Sequence, residues 1–143
     1  MRLITKFFNE LTTRELYELL KVRSEIFVVE QNCIYQDLDD IDYESLQVFY
    51  EEDGKVLACL RIFSIGEDTI KIGRVLSAKH GIGLGGKVLK AGLEKAISTY
   101  NPKKIVISAQ CYATGYYERE GFTIRSEEYL EDGIPHVRME LDL

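Results

Sequence analysis

At 143 residues, the chain is long enough for one domain with a real core, and its net charge of −6 leaves no excess of basic side chains. That balance disfavours a nucleic-acid partner, whose phosphates need a basic face, and weakly favours a cationic or amine-bearing one. A hydrophobic content of 45% with two prolines argues against disorder, and no apolar run approaches the length of a membrane span. The first ten residues are too short and too interrupted for a signal peptide. Three cysteines, an odd count without metal-ligand spacing, fit a reducing cytoplasm and no metal. Cys59 and Cys111 sit in apolar stretches that read as core, and Cys33 reads as exposed.

In chain order, residues 3–8 read as a first strand. Thr12-Thr13-Arg14-Glu15 is a capping-box signature, and Leu16, Leu19, Leu20 and Phe27 follow at helical spacing, so residues 12–31 form a helix or helix pair. Residues 31–44 lack a period and carry Asp37, Asp39, Asp40 and Asp42. The glycine and distal glutamate of an EF-hand are missing, so these acids belong to a solvated loop or line an acceptor pocket. Residues 46–51 and 55–63 are strands joined at Asp53-Gly54, a hairpin signal, and residues 69–76 continue the antiparallel run. Arg61 and Arg74 interrupt these apolar strands and are either paired with carboxylates or directed at a pocket. Residues 87–100 form an amphipathic helix with Leu89, Leu93, Ala96, Ile97 and Tyr100 on one side. Residues 105–109 form a strand covered on both faces, joined to residues 69–76 by a right-handed parallel crossover. A short helix over 113–120 ends at Gly121, and residues 122–129 and 136–141 close the sheet as a hairpin across Asp132-Gly133.

The turn between the third strand and the long helix reads His80-Gly81-Ile82-Gly83-Leu84-Gly85-Gly86. Glycines at a strand-to-helix turn leave backbone N–H groups bare at the positive end of a helix dipole, a seat for phosphate. Two familiar phosphate motifs fail here. Val88 stands where a Walker A loop needs a Ser or Thr for magnesium. The strand after the helix ends in Gln110, where a dinucleotide fold needs an acid for the ribose.

The same turn resembles the acetyl-CoA loop of the GNAT superfamily of N-acetyltransferases, (Arg/Gln)-x-x-Gly-x-(Gly/Ala), with His80, Gly83 and Gly85 on the defining positions. Tyr117-Glu118-Arg119-Glu120-Gly121-Phe122 resembles that superfamily's Tyr-x-x-x-Gly-Phe segment. Residues 28–39 and 131–136 resemble the ElaA-type subfamily, so the likeness runs over nearly the whole chain. The resemblance implies a single α/β (α+β mixed) domain over residues 1–143, with a mixed, mostly antiparallel sheet of about seven strands flanked by helices. It implies that Leu76 and Ser77 at the strand end, with His80, Gly81, Ile82, Gly83, Leu84, Gly85 and Gly86, hold acetyl-CoA. It also implies that Tyr117 protonates the departing thiolate, with Tyr116 packing inward.

The activity expected from this resemblance is acetyl transfer to an amine by direct attack. The rival is a non-catalytic acyl-CoA-binding or regulatory module on the same fold. An alkyl ammonium with a pKa of about 10.4 is about 3.4 units from deprotonated at pH 7, so a base is needed. Glu30, Asp37 and His136 are the candidates, and Asp37 and Asp39 are candidate acceptor contacts. The sequence leaves the acceptor open among small amines, polyamines, antibiotics and protein amines. It leaves open the oligomeric state too, a homodimer being one option.

Overall fold

The fold was described from a computed structural model that covers Met1–Leu143. Strand β1 (Arg2–Phe7) leads through a 3-10 turn into helix α1 (Thr13–Arg23). The helix starts where its capping box predicts. Thr12 Oγ1 accepts from the Glu15 N–H at 3.0 Å, and the Glu15 carboxylate accepts from the Thr12 N–H at 2.8 Å and from Lys6 Nζ at 3.0 Å. Residues Ser24–Glu30 continue as a π-helix, so of the two readings, a helix or a helix pair, the first holds, with winding that widens along its length.

Strands β2 (Leu46–Glu52) and β3 (Lys55–Gly66) form the hairpin read from Asp53-Gly54, whose φ values of +52° and +76° are those the tight turn requires. Strand β4 (Thr69–Ser77) is antiparallel to β3. After helix α2 (Leu84–Tyr100), strand β5 (Lys104–Gln110) lies parallel to β4. Helix α3 (Thr114–Glu118) is a single turn closed at Gly121, where φ is +98°. Strands β6 (Thr123–Ile124), β7 (Tyr129–Glu131) and β8 (Ile134–Asp142) complete one sheet in the order β1-β2-β3-β4-β5-β8-β6, with β7 also on β8. The sheet therefore has eight strands. The strand expected over 122–129 breaks in two, because β6 pairs with the far end of β8 at Met139 and Glu140 while β7 pairs with its near end across Asp132-Gly133.

Helix α2 covers one face through Val88, Leu89, Ala91, Leu93 and Ala96, which join Leu60, Ile62, Ile72, Ile105 and Ile107 in the larger core. Gly92 lets it approach closely, since a Cβ there would meet Leu60 Cδ2 at 2.5 Å. Ile97, expected on the buried side, is exposed. Helix α1 covers the opposite face over β1–β3 and the end of β4, through Leu19 and Val22 on Phe49, Cys59 and Leu76. Apart from Leu76, that face of β4, β5 and β8 is not packed by α1, and the site lies there.

A cleft between two parting strands

Strands β4 and β5 pair only as far as Ile72 and Ile107. Beyond that point residues 73–77 and 108–110 are not partners, and a cleft of about 800 Å³ opens between them. A β-bulge sets this geometry: Arg74 and Val75 of β4 stand against Leu60 alone of β3, and Arg74 takes φ +52°. The extra residue reverses the alternation that follows. Leu76 therefore joins the α1-side core with Cys59, and Val75 packs against the α2-side core.

The bulge is held from outside. The Arg74 guanidinium donates to Asp37 Oδ1 at 2.8 Å, to the Asp37 carbonyl at 3.0 Å and to Asp39 Oδ2 at 3.4 Å. Behind it, the fully buried Arg23 of α1 donates to Asp37 Oδ2 at 3.0 Å and to Asp42 Oδ1 at 2.7 Å. Arg61 forks onto Asp39 at 2.8 and 2.7 Å and lies 3.3 Å from Asp42. Burial opposes ionisation of Asp39, yet the hydrogen bonds and charges of Arg61 and Arg74 hold its carboxyl at about 2. Asp42 is likewise lowered against burial by Arg23 and Arg61.

At one end of the cleft the glycine turn enters α2. Gly81 and Gly83 take φ of +80° and +75°, and Gly83 is the N-cap, with no side-chain cap and no acid in the first turn. The first helical bond runs from the Lys87 N–H to the Gly83 carbonyl, so the amides of Leu84, Gly85 and Gly86 have no partner within the helix. On the wall, Tyr117 is buried among the core residues and stacks edge-on with Tyr116 and Phe122. Burial pushes its phenol well above the usual tyrosine value, so it stays protonated. Tyr116, raised by burial to about 12, donates its hydroxyl to the Gly85 carbonyl.

Comparison with known proteins agrees with this geometry. The acetyltransferase (GNAT) domain family matches residues 14–143. The chain belongs to the GNAT family. An acyl-CoA N-acyltransferase from Pseudomonas aeruginosa superposes with a TM-score of 0.92 at 38% identity, covering 98% of this chain and 99% of that one. Escherichia coli ElaA gives 0.92 at 31% identity with the same coverage. A UPF0039 protein of Schizosaccharomyces pombe is 37% identical over 147 residues, covering 100% of this chain and 98% of its own.

In this GNAT chain, Leu76, Ser77, His80, Gly85, Tyr116, Tyr117 and His136 all border the cleft. Several expectations need correction. Tyr116, expected inward, is the less buried tyrosine, because its hydroxyl reaches out to Gly85 while Tyr117 packs on Phe122. Asp37, expected as a base and an acceptor contact, is paired with Arg23 and Arg74 inside the network and does not line the cleft. Asp39 borders the cleft with its carboxylate already matched by Arg61 and Arg74. Glu30 lies by the glycine turn, 3.1 Å from His80 Nε2, and not with His136. Cys33 is buried, its thiol donating to the Asp132 carbonyl at 3.3 Å. Sequence reasoning missed Arg23, and it missed Glu131, which accepts from Ser108 Oγ at 3.4 Å and stands 3.3 Å from His136 Nε2.

Proposed function

We propose that this GNAT chain is an acetyl-CoA-dependent N-acetyltransferase that passes the acetyl group to an amine by direct attack. The observation that carries the reading is the parting of β4 from β5 between an uncapped glycine helix start and Tyr117. The residues present fit a pyrophosphate. Three helix-start amides are bare, and a Cβ added at Gly81, Gly83 or Gly86 would meet no protein atom, so the space beside the turn is free. Residues 73–77 offer an unpaired strand edge along which an extended pantetheine arm can lie. Acetyl-CoA supplies the thioester.

In the transfer, the amine nitrogen bonds to the acetyl carbon, the carbon–sulfur bond breaks, and two protons must be placed. Tyr117 gives its phenolic proton to the leaving sulfur, and the phenolate left behind regains a proton from solvent, while His136 releases one, before the next turnover. His136 Nδ1 lies 2.6 Å from the Ile134 carbonyl, which can only accept, so Nδ1 carries the hydrogen and Nε2 holds a free lone pair. His136 borders the cleft, and this nitrogen takes the proton from the amine. Glu131, 3.3 Å away, stabilises the imidazolium that results. Glu30 serves instead as the partner of His80 at the edge of the CoA site.

Thiol release from acetyl-CoA over a broad amine panel is the test. Acceptor-dependent release, with acetylated product by mass spectrometry, is the result expected. Tight CoA binding without release on any amine would favour the non-catalytic module.

A further inference from the structure

On the sheet face away from α2, register brings Lys71, Gly73, Ser108 and His136 to one side of the strands, and all four border the cleft. Lys71 makes no hydrogen bond or ion pair, whereas the cleft's other strand-borne cations, Arg61 and Arg74, are matched by Asp37, Asp39 and Asp42. At the opposite end stand the carboxylates of Glu131 and Asp132, with His136 between the sheet and Glu131. The His136 side chain is only 7% exposed. Its Nε2 faces Glu131 without an aligned hydrogen bond. With Nδ1–H given to Ile134, Nε2 and Glu131 Oε2 present two lone-pair atoms to each other and lack a donor between them. An ammonium or amine with two N–H groups supplies that donor.

The floor is thus dipolar, with an unmatched cation at Lys71 and, at the other end, Glu131 Oε2 and His136 Nε2 without a donor between them. Between them lies Gly73, which contributes no side chain, and the nearest atom to a Cβ built there is Arg61 Nε at 3.9 Å. From strand geometry, Lys71 and Ser108, where Glu131 is anchored, are about 8 Å apart at the backbone. That separation suits one small molecule bridging the two. We propose that the acceptor is a zwitterion of the amino-acid type, its amine received by Glu131 and His136 and its carboxylate by Lys71. The inference rests on the acetyltransferase reading and adds to it the class of acceptor. A polyamine would instead set a second cation against Lys71.

Pairs of acceptors that differ only in the carboxylate test this directly: lysine and cadaverine, ornithine and putrescine, phenylalanine and phenethylamine. Thiol release should favour the amino acid in at least one pair by tenfold or more in kcat/KM. Lys71→Met should reduce that preference at least about tenfold, the scale of one charge-assisted hydrogen bond, and Lys71→Arg should retain it. The proposal is overturned if the decarboxylated amines are preferred, if Lys71→Met leaves the preference intact, or if none of the six is acetylated by protein that binds acetyl-CoA. Turnover of amines without carboxylate selectivity would leave the acetyltransferase reading standing. Failure to bind acetyl-CoA would remove both.

Discussion

Gly86 is a residue whose cost to the fold and value to the ligand should separate. It lies in the first turn of α2, where glycine costs a helix up to about 1 kcal/mol relative to alanine, and an added Cβ would meet no protein atom. If the space is free for the fold and occupied by the CoA pyrophosphate, Gly86→Ala should raise the thermal midpoint and weaken CoA binding together. Scanning calorimetry and titration calorimetry on the same sample check this. A more stable protein with unchanged affinity would move the pyrophosphate elsewhere. Gly85 is less suited, since its Cβ would press on the Tyr116 hydroxyl at 3.3 Å and disturb a contact of the fold itself.

Among the elements, the tie from α1 through the 31–44 segment to the β4 bulge holds the site in shape. Arg23 is its centre. Arg23→Met should cost about 3 kcal/mol in urea unfolding, the low end for breaking a buried pair, because Asp37 keeps Arg74 and Asp42 keeps Arg61 and Gln47. A loss under 1 kcal/mol would mean that the other arginines carry the network. The tie also has a pH signature. Asp39 and Asp42 have depressed folded pKa values, so their stabilisation is complete above the unfolded value of about 3.9 and drains as pH falls towards about 2 for Asp39. The thermal midpoint should therefore fall between about pH 4 and pH 2, and fall less steeply in Asp39→Asn. Equal slopes in the two proteins would contradict the assignment.

The same tie marks where the sequence stops being legible. The capping box at Thr12, the turn at Asp53-Gly54, the glycine turn before α2 and the parallel crossover are local or periodic signals, and each is present in the fold. Arg23 leaves no such signal. A basic residue in the last turn of a helix looks like one that complements the dipole, and its partners lie 14 and 19 residues away in an aperiodic stretch. Pairing of Arg61 and Arg74 was one of two readings, and the structure shows that they pair and border the cleft as well. The bulge at Arg74 is equally silent, because one extra residue alters facing without altering composition.

For the whole molecule, the proposed reaction occupies one opening in the sheet, with CoA at the glycine turn, the acceptor on the face away from α2, and Tyr117 on the wall. The buried phenol stays neutral, which suits a donor to a departing thiolate. Its neighbour Tyr116 offers an internal control, since its hydroxyl is committed to the Gly85 carbonyl. The decisive measurement is kcat for thiol release by Tyr117→Phe and Tyr116→Phe on one acceptor, with CoA affinity from titration calorimetry. Tyr117→Phe should lower kcat at least about a hundredfold with affinity nearly intact, as loss of a positioned general acid does, and Tyr116→Phe should change kcat far less. A fall of less than tenfold in Tyr117→Phe, with chemistry rate-limiting, would contradict the account and leave Tyr117 a core residue.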